Sequence, residues 1–284
     1  MLVNKHTHLL PIKEAGAAEK IKSQIIDPIS SGQLSQAAIK NSIQVFATIL
    51  QAANLAGNKH TTALLEQLLS SLDAAPPVGA YFAAAFDAIL LPSPILTSEN
   101  NAIVRGLYKQ RLFSLCVPVI LEKFSATHDQ EVKSNYLVAL GGILKNVPGD
   151  MIMPYIDRLL PFLLQSVESG SEDVKGVSID VIRIATIESP DAVESHVSGI
   201  VKRLLACLEE IDGKYRTKVA TRCKALKALG VLPKCVRMSV VLPLKKSVLA
   251  GLRKSGEDRS RKVREGVVDC LMVWWKLAGV EEEE

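Results

Sequence analysis

The feature that most constrains this sequence is a segment that returns at a nearly constant interval. Four stretches open on a charged residue followed by valine and continue as an apolar helical stripe; their valines are Val132, Val174, Val219 and Val263. The intervals of 42, 45 and 44 residues fall in the range of about 40 to 47 residues that is typical of HEAT and armadillo units. The chain is therefore predicted to consist of stacked helical repeats.

A second helical pattern lies between these segments and repeats in the same phase, starting at Pro154, Ser195 and Pro243. From Val197 to Leu208, apolar residues recur every three or four positions, as in an amphipathic helix. Prolines recur near the ends of the first helices, at Pro148, Pro190 and Pro233. Because proline lacks an N–H and its ring clashes with the preceding turn, these residues predict the turn inside each helical hairpin.

The predicted fold is all-α, an α-α superhelix of HEAT-type helical hairpin repeats forming a single domain over residues 1–284, without strands. The repeats are expected at 34–75, 76–125, 126–170, 171–214 and 215–258, with a capping helix at 259–279 and an irregular or partial repeat at 1–33. The looser N-terminal hairpins pair Ser35–Leu50 with Thr61–Leu72 and Ala80–Leu91 with Asn101–Lys123. In the closing helix, Trp274 and Trp275 are expected to cover the end of the core.

Composition supports a helical protein with a charged surface of uneven sign. Apolar residues make up 48% of the chain and aromatic residues only 5%, a palette that favours helix packing over exposed strands. Residues 1–200 contain 15 Lys/Arg and 19 Asp/Glu, whereas residues 201–280 contain 19 and 7. The basic region predicts an acidic partner surface or, less commonly, nucleic acid.

The sequence favours a binding protein over an enzyme. It contains no phosphate-binding glycine loop, no G-x-S-x-G and no H-E-x-x-H motif. Its five cysteines are widely spaced, which indicates reduced core residues and neither disulfides nor a metal site. We therefore expect no cofactor and no metal, with His6 and His8 belonging to a flexible end. The most apolar stretch, from Val78 to Leu96, is broken by charge and proline, so no membrane span or export signal is expected.

Two basic clusters are candidate contact surfaces. The segment from Lys245 to Arg264 has eight Lys/Arg in twenty residues, and it is either a solvated helix face or a docking surface. It contains no aromatic residue to stack on bases. The run from Ala102 to Phe113 either anchors an internal ion pair or touches a partner. The predicted partner-binding residues are Lys109, Arg111, Lys245, Lys246, Arg253, Lys254 and Arg264.

A spacing typical of HEAT units lies within the first of these clusters. Asp258 is followed, after four residues, by Val263 and Arg264. The carboxylate of such an aspartate can cap the helix N-terminus, and the arginine can pair along the ladder of repeats. This motif is interpreted as structural.

Several segments resemble, in order and spacing, the C-terminal region of the methyl-methanesulfonate-sensitivity HEAT-repeat family. They are VRGLYKQRLF, KSNYLVALGGILKNVP, LLPFLLQSV, VLPLKKSVLAGLRK and DRSRKVREGVVDCLMVWWKLAG, which together cover roughly residues 100–280. Positions that match recurring family positions are Lys109, Gln110, Arg111, Asn135, Tyr136, Arg264 and Trp275. Tyr136 and Trp275 are expected in the core.

This resemblance implies a scaffold of the cytosolic iron–sulfur assembly targeting complex. Its partners would be a small adaptor protein, a β-propeller subunit and apo iron–sulfur clients that include DNA replication and repair enzymes, in the cytoplasm and nucleus. Membrane and direct nucleic-acid binding are not expected. The alternatives are a nucleic-acid-binding HEAT-like array, with charge reversal as its test, and a karyopherin-like transport scaffold, which would bind a small GTPase.

Overall fold

The computed structural model describes residues 17–30, 34–169, 171–211, 214–215 and 217–277, so His6 and His8 lie outside the described residues. The chain forms two compact units, residues 1–148 and 149–284. In each unit, antiparallel helices enclose a core of leucine, isoleucine, valine and phenylalanine side chains. Among the described residues, no helix has both the length and the apolar character needed to cross a bilayer.

Unit 1 is built from hairpins of long helices. In chain order these are α1 (Ala17–Ile21), α2 (Asp27–Ser30), α3 (Gln36–Ala56), α4 (Thr61–Ser70), α5 (Val78–Leu90), α6 (Tyr108–Ala126) and α7 (Gln130–Asn146). A π-helical stretch at Lys22–Ile26 joins α1 to α2, and a 3-10 turn at Ser71–Asp73 follows α4. Helix α5 packs against both α3 and α7, and α6 packs against α4 and α7.

The start of α6 differs from the sequence prediction. The predicted helix begins at Asn101, but the observed one begins at Tyr108. Asn101 and Leu107 have φ angles of 54° and 64°, a conformation that costs energy for residues with a side chain and interrupts helical winding. The basic run at 102–113 is therefore half loop and half helix, and Arg105 lies outside α6.

The core of unit 1 is closed by polar contacts to α7. Tyr136 is fully buried, as predicted, and its hydroxyl donates to the Asp73 carboxylate at a distance of 2.5 Å. Burial and this negative charge raise the pKa of the Tyr136 phenol. Asn135 donates to the Leu72 carbonyl at 3.0 Å. A Cβ at Gly142 would lie only 2.8 Å from the backbone nitrogen of Asp87, so glycine there permits the close approach of α7 to α5.

Unit 2 continues the hairpin pattern with α8 (Gly149–Ile152), α9 (Ile156–Ser169), α10 (Glu172–Glu188), α11 (Pro190–Glu194), α12 (Val197–Ala206), α13 (Val219–Cys235), α14 (Met238–Val241), α15 (Lys245–Ser255) and α16 (Arg261–Trp275). Short 3-10 turns at Met153–Tyr155 and Leu242–Leu244 lead into α9 and α15. Helices α10, α13 and α16 pack side by side as one layer, and α9, α12 and α15 lie in the other.

A small element that the sequence did not predict joins α12 to α13. Strands β1 (Glu210–Ile211) and β2 (Lys214–Tyr215) pair antiparallel, with Glu210 opposite Tyr215. The absence of strands predicted from the sequence is therefore wrong at this one connection. Two-residue strands are too short to produce the period-two alternation on which a strand prediction depends.

The repeat register of α13 also differs from the prediction. Val174 and Val263 are the third residues of α10 and α16 and are buried, whereas Val219 is the first residue of α13 and is 38% exposed. The buried third residue of α13 is Thr221. The following residue, Arg222, therefore corresponds to Arg264 of the next hairpin.

Candidate docking surface

Three of the basic residues that were predicted to contact a partner are exposed on α15. They are Lys246, Arg253 and Lys254, and their side chains point away from the buried Val248 and Leu252. Lys246 and Arg253 are seven residues apart, so they share one side of the helix. The structure therefore brings these three predicted residues together on one surface of unit 2.

Arg264 is exposed as well, at the start of the neighbouring helix α16. Its Nη1 donates to the Asp258 carbonyl at 2.6 Å and to the Arg259 carbonyl at 3.2 Å. The guanidinium thus holds the connection between α15 and α16 while much of the side chain stays in solvent. Arg264 adds a positive charge to the same end of unit 2.

Lys245 was also predicted to contact a partner, and this prediction is wrong. The residue is only 7% exposed, and its Nζ donates to the Leu277 carbonyl at 2.8 Å, just beyond the end of α16. A cation at the C-terminal end of a helix binds a carbonyl that has no helical donor and interacts favourably with the helix dipole. Lys245 therefore fastens α15 to α16.

Lys109 performs a similar role in unit 1. Its Nζ donates to the Asn146 carbonyl, the last residue of α7, at 2.7 Å. The half-buried Arg111 lies beside Gly57 at the end of α3, with its Nη1 3.3 Å from the position that a Cβ would take there. The sequence left two alternatives for this run, an internal ion pair or a partner contact. The observed bond from Lys109 to a backbone carbonyl is neither of them. A partner contact for Lys109 and Arg111 stays a prediction.

An apolar stripe on α16 was not predicted from the sequence. Val268, Met272 and Trp275 are 58%, 55% and 54% exposed, although most large apolar residues of unit 2 are buried. Their spacing of four and then three residues places them on one side of α16, and Arg264 precedes them on the same side. We call these four residues the α16 outer face. The buried residues of the helix, Val263, Val267, Cys270 and Trp274, follow a separate phase.

Trp275 was expected in the core, and this expectation is wrong. Its indole lies on the α16 outer face, and the guanidinium carbon of Arg253 is 5.7 Å from the ring centroid, within reach of a cation–π interaction. The adjacent Trp274 is fully buried, so the two indoles have opposite roles. The available signal was helical phase, because Trp275 is out of register with Val267 and Trp274 while Met272 and Val268 are in register with it.

Of the cysteines of this unit, which were all predicted to be core residues, Cys207 and Cys270 are buried, whereas Cys223 and Cys235 are partly exposed. Burial, with a smaller contribution from the Asp269 carboxylate, raises the pKa of the Cys270 thiol to about 12. A thiol with so high a pKa is protonated at neutral pH and is therefore a poor metal ligand and nucleophile. Within the described ranges, no three His, Cys, Asp or Glu side chains cluster closely enough to hold a metal ion.

Comparison with known proteins agrees with this architecture. Residues 1–233 match the family model MMS19_C, described as RNAPII transcription regulator C-terminal. The DNA repair/transcription protein MMS19 of Saccharomyces cerevisiae is 30% identical over 66% of this chain and 18% of its own length. The MMS19 nucleotide excision repair protein homolog of Homo sapiens is 29% identical over 76% of this chain and 20% of its own length. The chain thus spans about a fifth of these relatives.

Solved structures with the same fold include designed armadillo repeat proteins. A computationally designed armadillo repeat protein for modular peptide recognition superposes with a TM-score of 0.60 at 14% identity, covering 89% of this chain and 98% of the other. The designed armadillo repeat protein YIII(Dq)4CqI gives a TM-score of 0.57 at 14% identity, with coverages of 88% and 98%. These similarities confirm the predicted all-α class of helical hairpin repeats. The match over residues 1–233 and the relatives from yeast to human show that this chain belongs to the MMS19 C-terminal family.

Proposed function

We propose that this chain is a protein-binding scaffold domain for cytosolic iron–sulfur cluster delivery. It docks a small adaptor protein, which brings a β-propeller subunit, and it presents apo iron–sulfur clients that include DNA replication and repair enzymes. Its role is binding, with no catalytic step. Family membership supports this proposal, and relatives named for DNA repair and transcription support a place in the nucleus. A second location in the cytoplasm is part of the proposal.

The observation that carries the proposal is the α16 outer face. Tryptophan, methionine and arginine are enriched at the centres of protein interfaces, and tryptophan and arginine are also frequent among the residues that dominate binding energy. Here the half-exposed Trp275 and Met272 lie on the same side of α16 as Arg264, with further cations on the adjacent α15. An apolar centre with a cationic rim suits an adaptor surface that has an apolar patch bordered by acidic residues.

The test is a binding titration of the full chain with the purified complex of adaptor and β-propeller subunit. Trp275→Ala is expected to weaken binding by about 30-fold or more, the effect of losing a central interface tryptophan. Met272→Ala is expected to weaken it less. Met238→Ala is the matched control, because Met238 is 50% exposed and Met272 is 55% exposed; this control should bind like the unchanged chain.

The outcomes separate the competing functions. If Met272→Ala, Trp275→Ala and the Met238→Ala control bind the adaptor complex equally well, the α16 outer face is not the docking site. No binding of the adaptor by the unchanged chain would overturn the scaffold proposal for this domain. If the chain instead bound duplex DNA with a steep salt dependence that charge reversal at Lys246, Arg253 and Lys254 abolished, the nucleic-acid alternative would replace it.

A further inference from the structure

A groove within unit 2 runs along α13, between α10 and α16, on a different side of α16 from the outer face. It has a volume of about 840 Å³ and is open to solvent. Helix α13 contributes Cys223, Lys227, Gly230 and Lys234 to its lining, and α16 contributes Lys262 and Asp269 among others. We infer that this groove binds an acidic peptide segment of a protein partner. The inference goes beyond the proposed function and does not depend on the α16 outer face.

Charge is the first reason. Three of the groove's charged side chains are already paired: Lys224 and Asp180 contact each other at 2.6 Å, and Glu265 accepts from Arg261 at 2.8 Å. Across the part of the chain that the structure describes, no ion pair engages the other cations of the groove, which are Arg183, Lys227, Lys234 and Lys262. Asp269 is the remaining acid of the lining. The groove therefore has an excess of unpaired positive charge facing solvent.

The second reason is the glycine at the middle of the groove. Gly230 lies in the interior of α13, where glycine costs about 0.5–1 kcal/mol relative to alanine. Among the described residues, a Cβ at this position would meet no atom within 4 Å, so no contact with them requires glycine. The free space lies between Lys227 and Lys234, one helical turn from each. Glycine there lets the backbone of a bound segment come close to α13 while acidic side chains reach both lysines.

The chemistry of the lining favours a peptide over nucleic acid. Sequence-independent binding of single strands combines positive charge with aromatic side chains on which bases stack. None of the described residues of the lining is aromatic, and its uncharged part consists of small or aliphatic side chains such as Cys223, Val231 and Val273. Such a surface accommodates short apolar side chains between acidic ones. A segment with alternating acidic and small apolar residues matches it.

The experiment measures fluorescence anisotropy of a labelled peptide of alternating glutamate and alanine, titrated with the full chain. Lys227→Glu/Lys234→Glu is expected to weaken binding by about ten-fold, because two attractive contacts become repulsive. The matched control, Lys40→Glu/Lys59→Glu, makes the same change in net charge at two exposed lysines of unit 1 and should alter binding less than about two-fold.

A second variant tests the shape of the groove without changing its charge. Gly230→Leu fills the open space and replaces glycine with a better helix former, so α13 should remain folded by circular dichroism while the peptide is excluded. Equal losses in both lysine pairs would show a net-charge effect and overturn the inference, as would unchanged binding by Gly230→Leu. Stronger binding of an oligothymidylate that competes with the peptide would assign the groove to nucleic acid and also overturn it.

Discussion

At the scale of single residues, the most consequential contact is a buried ion pair between Arg222 and Asp258. Arg222 Nε lies 2.8 Å from Asp258 Oδ2, and both side chains are almost fully buried. Arg222 also stacks on the Tyr215 ring at 3.9 Å and donates to the Thr217 carbonyl at 2.5 Å. Asp258 Oδ1 accepts from the backbone nitrogen of Ser260, immediately before α16. The pair thus joins β2, α13 and the start of α16.

This geometry corrects the interpretation of the D-x-x-x-x-V-R spacing. The sequence suggested that Asp258 caps the N-terminus of α16, but its carboxylate accepts from the backbone nitrogen of Ser260, which is itself the N-cap residue. An arginine does pair along the ladder, as the sequence suggested. The arginine that does so is Arg222, from the equivalent position of the preceding hairpin, whereas Arg264 binds two carbonyls. A spacing within one repeat cannot show that its aspartate is bound by the repeat before it.

Removal of this arginine should strongly destabilise unit 2. Arg222→Ala leaves the Asp258 carboxylate buried without its partner, which typically costs about 3–5 kcal/mol. Urea denaturation followed by circular dichroism measures the loss. The control is Arg261→Ala, which breaks the exposed pair with Glu265 and should change stability little. In Arg222→Ala/Asp258→Ala the loss should be smaller than in Arg222→Ala alone; an equal or greater loss would contradict the assigned cause.

At the scale of helices, α13 shows how a proline is accommodated. Pro233 was expected to end the helix, but α13 continues to Cys235. Proline has no N–H to donate to the carbonyl four residues before it, which is that of Leu229. The indole Nε1 of the buried Trp274 donates to this carbonyl at 2.9 Å. A tryptophan of α16 therefore supplies the hydrogen bond that the helix itself lacks.

Trp274→Phe tests this substitution of one donor for another. Phenylalanine retains most of the apolar contact but leaves the buried Leu229 carbonyl without its indole donor, for an expected cost of about 1–3 kcal/mol in unfolding free energy, in addition to the smaller ring volume. In a Pro233→Ala background, the alanine N–H can bond Leu229, so the same change should cost less. Equal costs in both backgrounds, measured by urea denaturation, would show that the hydrogen bond is not the reason.

Helix phase and periodicity were sufficient to predict the regular hairpins, because the spacing of apolar residues within one helix shows which of its sides is buried. The apolar spacing predicted α7, α10 and α16, and Val132, Val174 and Val263 are each the third residue of those helices. The register of α13 was misassigned because Thr221 replaces the expected valine, while an exposed valine stands two residues earlier. Alignment of the repeats by their valines therefore fails where the buried position is occupied by a polar residue.

Contacts between helices could not be predicted in the same way. Lys245 resembles its neighbour Lys246 in sequence, yet only Lys245 reaches the end of α16 and becomes buried. The burial of Trp274 depends on a carbonyl of α13, which is 45 residues distant in the chain. The candidate docking surface was therefore predicted for its cations on α15 but missed for its apolar centre, since burial is decided by neighbours distant in sequence.

At the scale of the whole molecule, positive charge is concentrated in residues 201–280, with 19 Lys/Arg and 7 Asp/Glu, whereas residues 1–200 are slightly acidic. Charge concentrated in one region raises the rate at which an oppositely charged partner is captured, whereas close apolar contact mainly slows its release. If the α16 outer face is the apolar centre of the interface, charge and shape should affect different rate constants.

Raising the salt concentration from 0.1 to 1 M shortens the Debye length from about 10 to about 3 Å, so association with the adaptor complex should slow by roughly ten-fold or more while dissociation changes little. Surface plasmon resonance measures both rates. Lys246→Glu/Lys254→Glu should lower the association rate and flatten its salt dependence. Trp275→Ala should instead accelerate dissociation at every salt concentration, because it removes apolar contact and no charge. If salt acted mainly on dissociation, or if the lysine and tryptophan variants changed the same rate constant, then the long-range positive field and the apolar centre would not have the separate roles assigned to them.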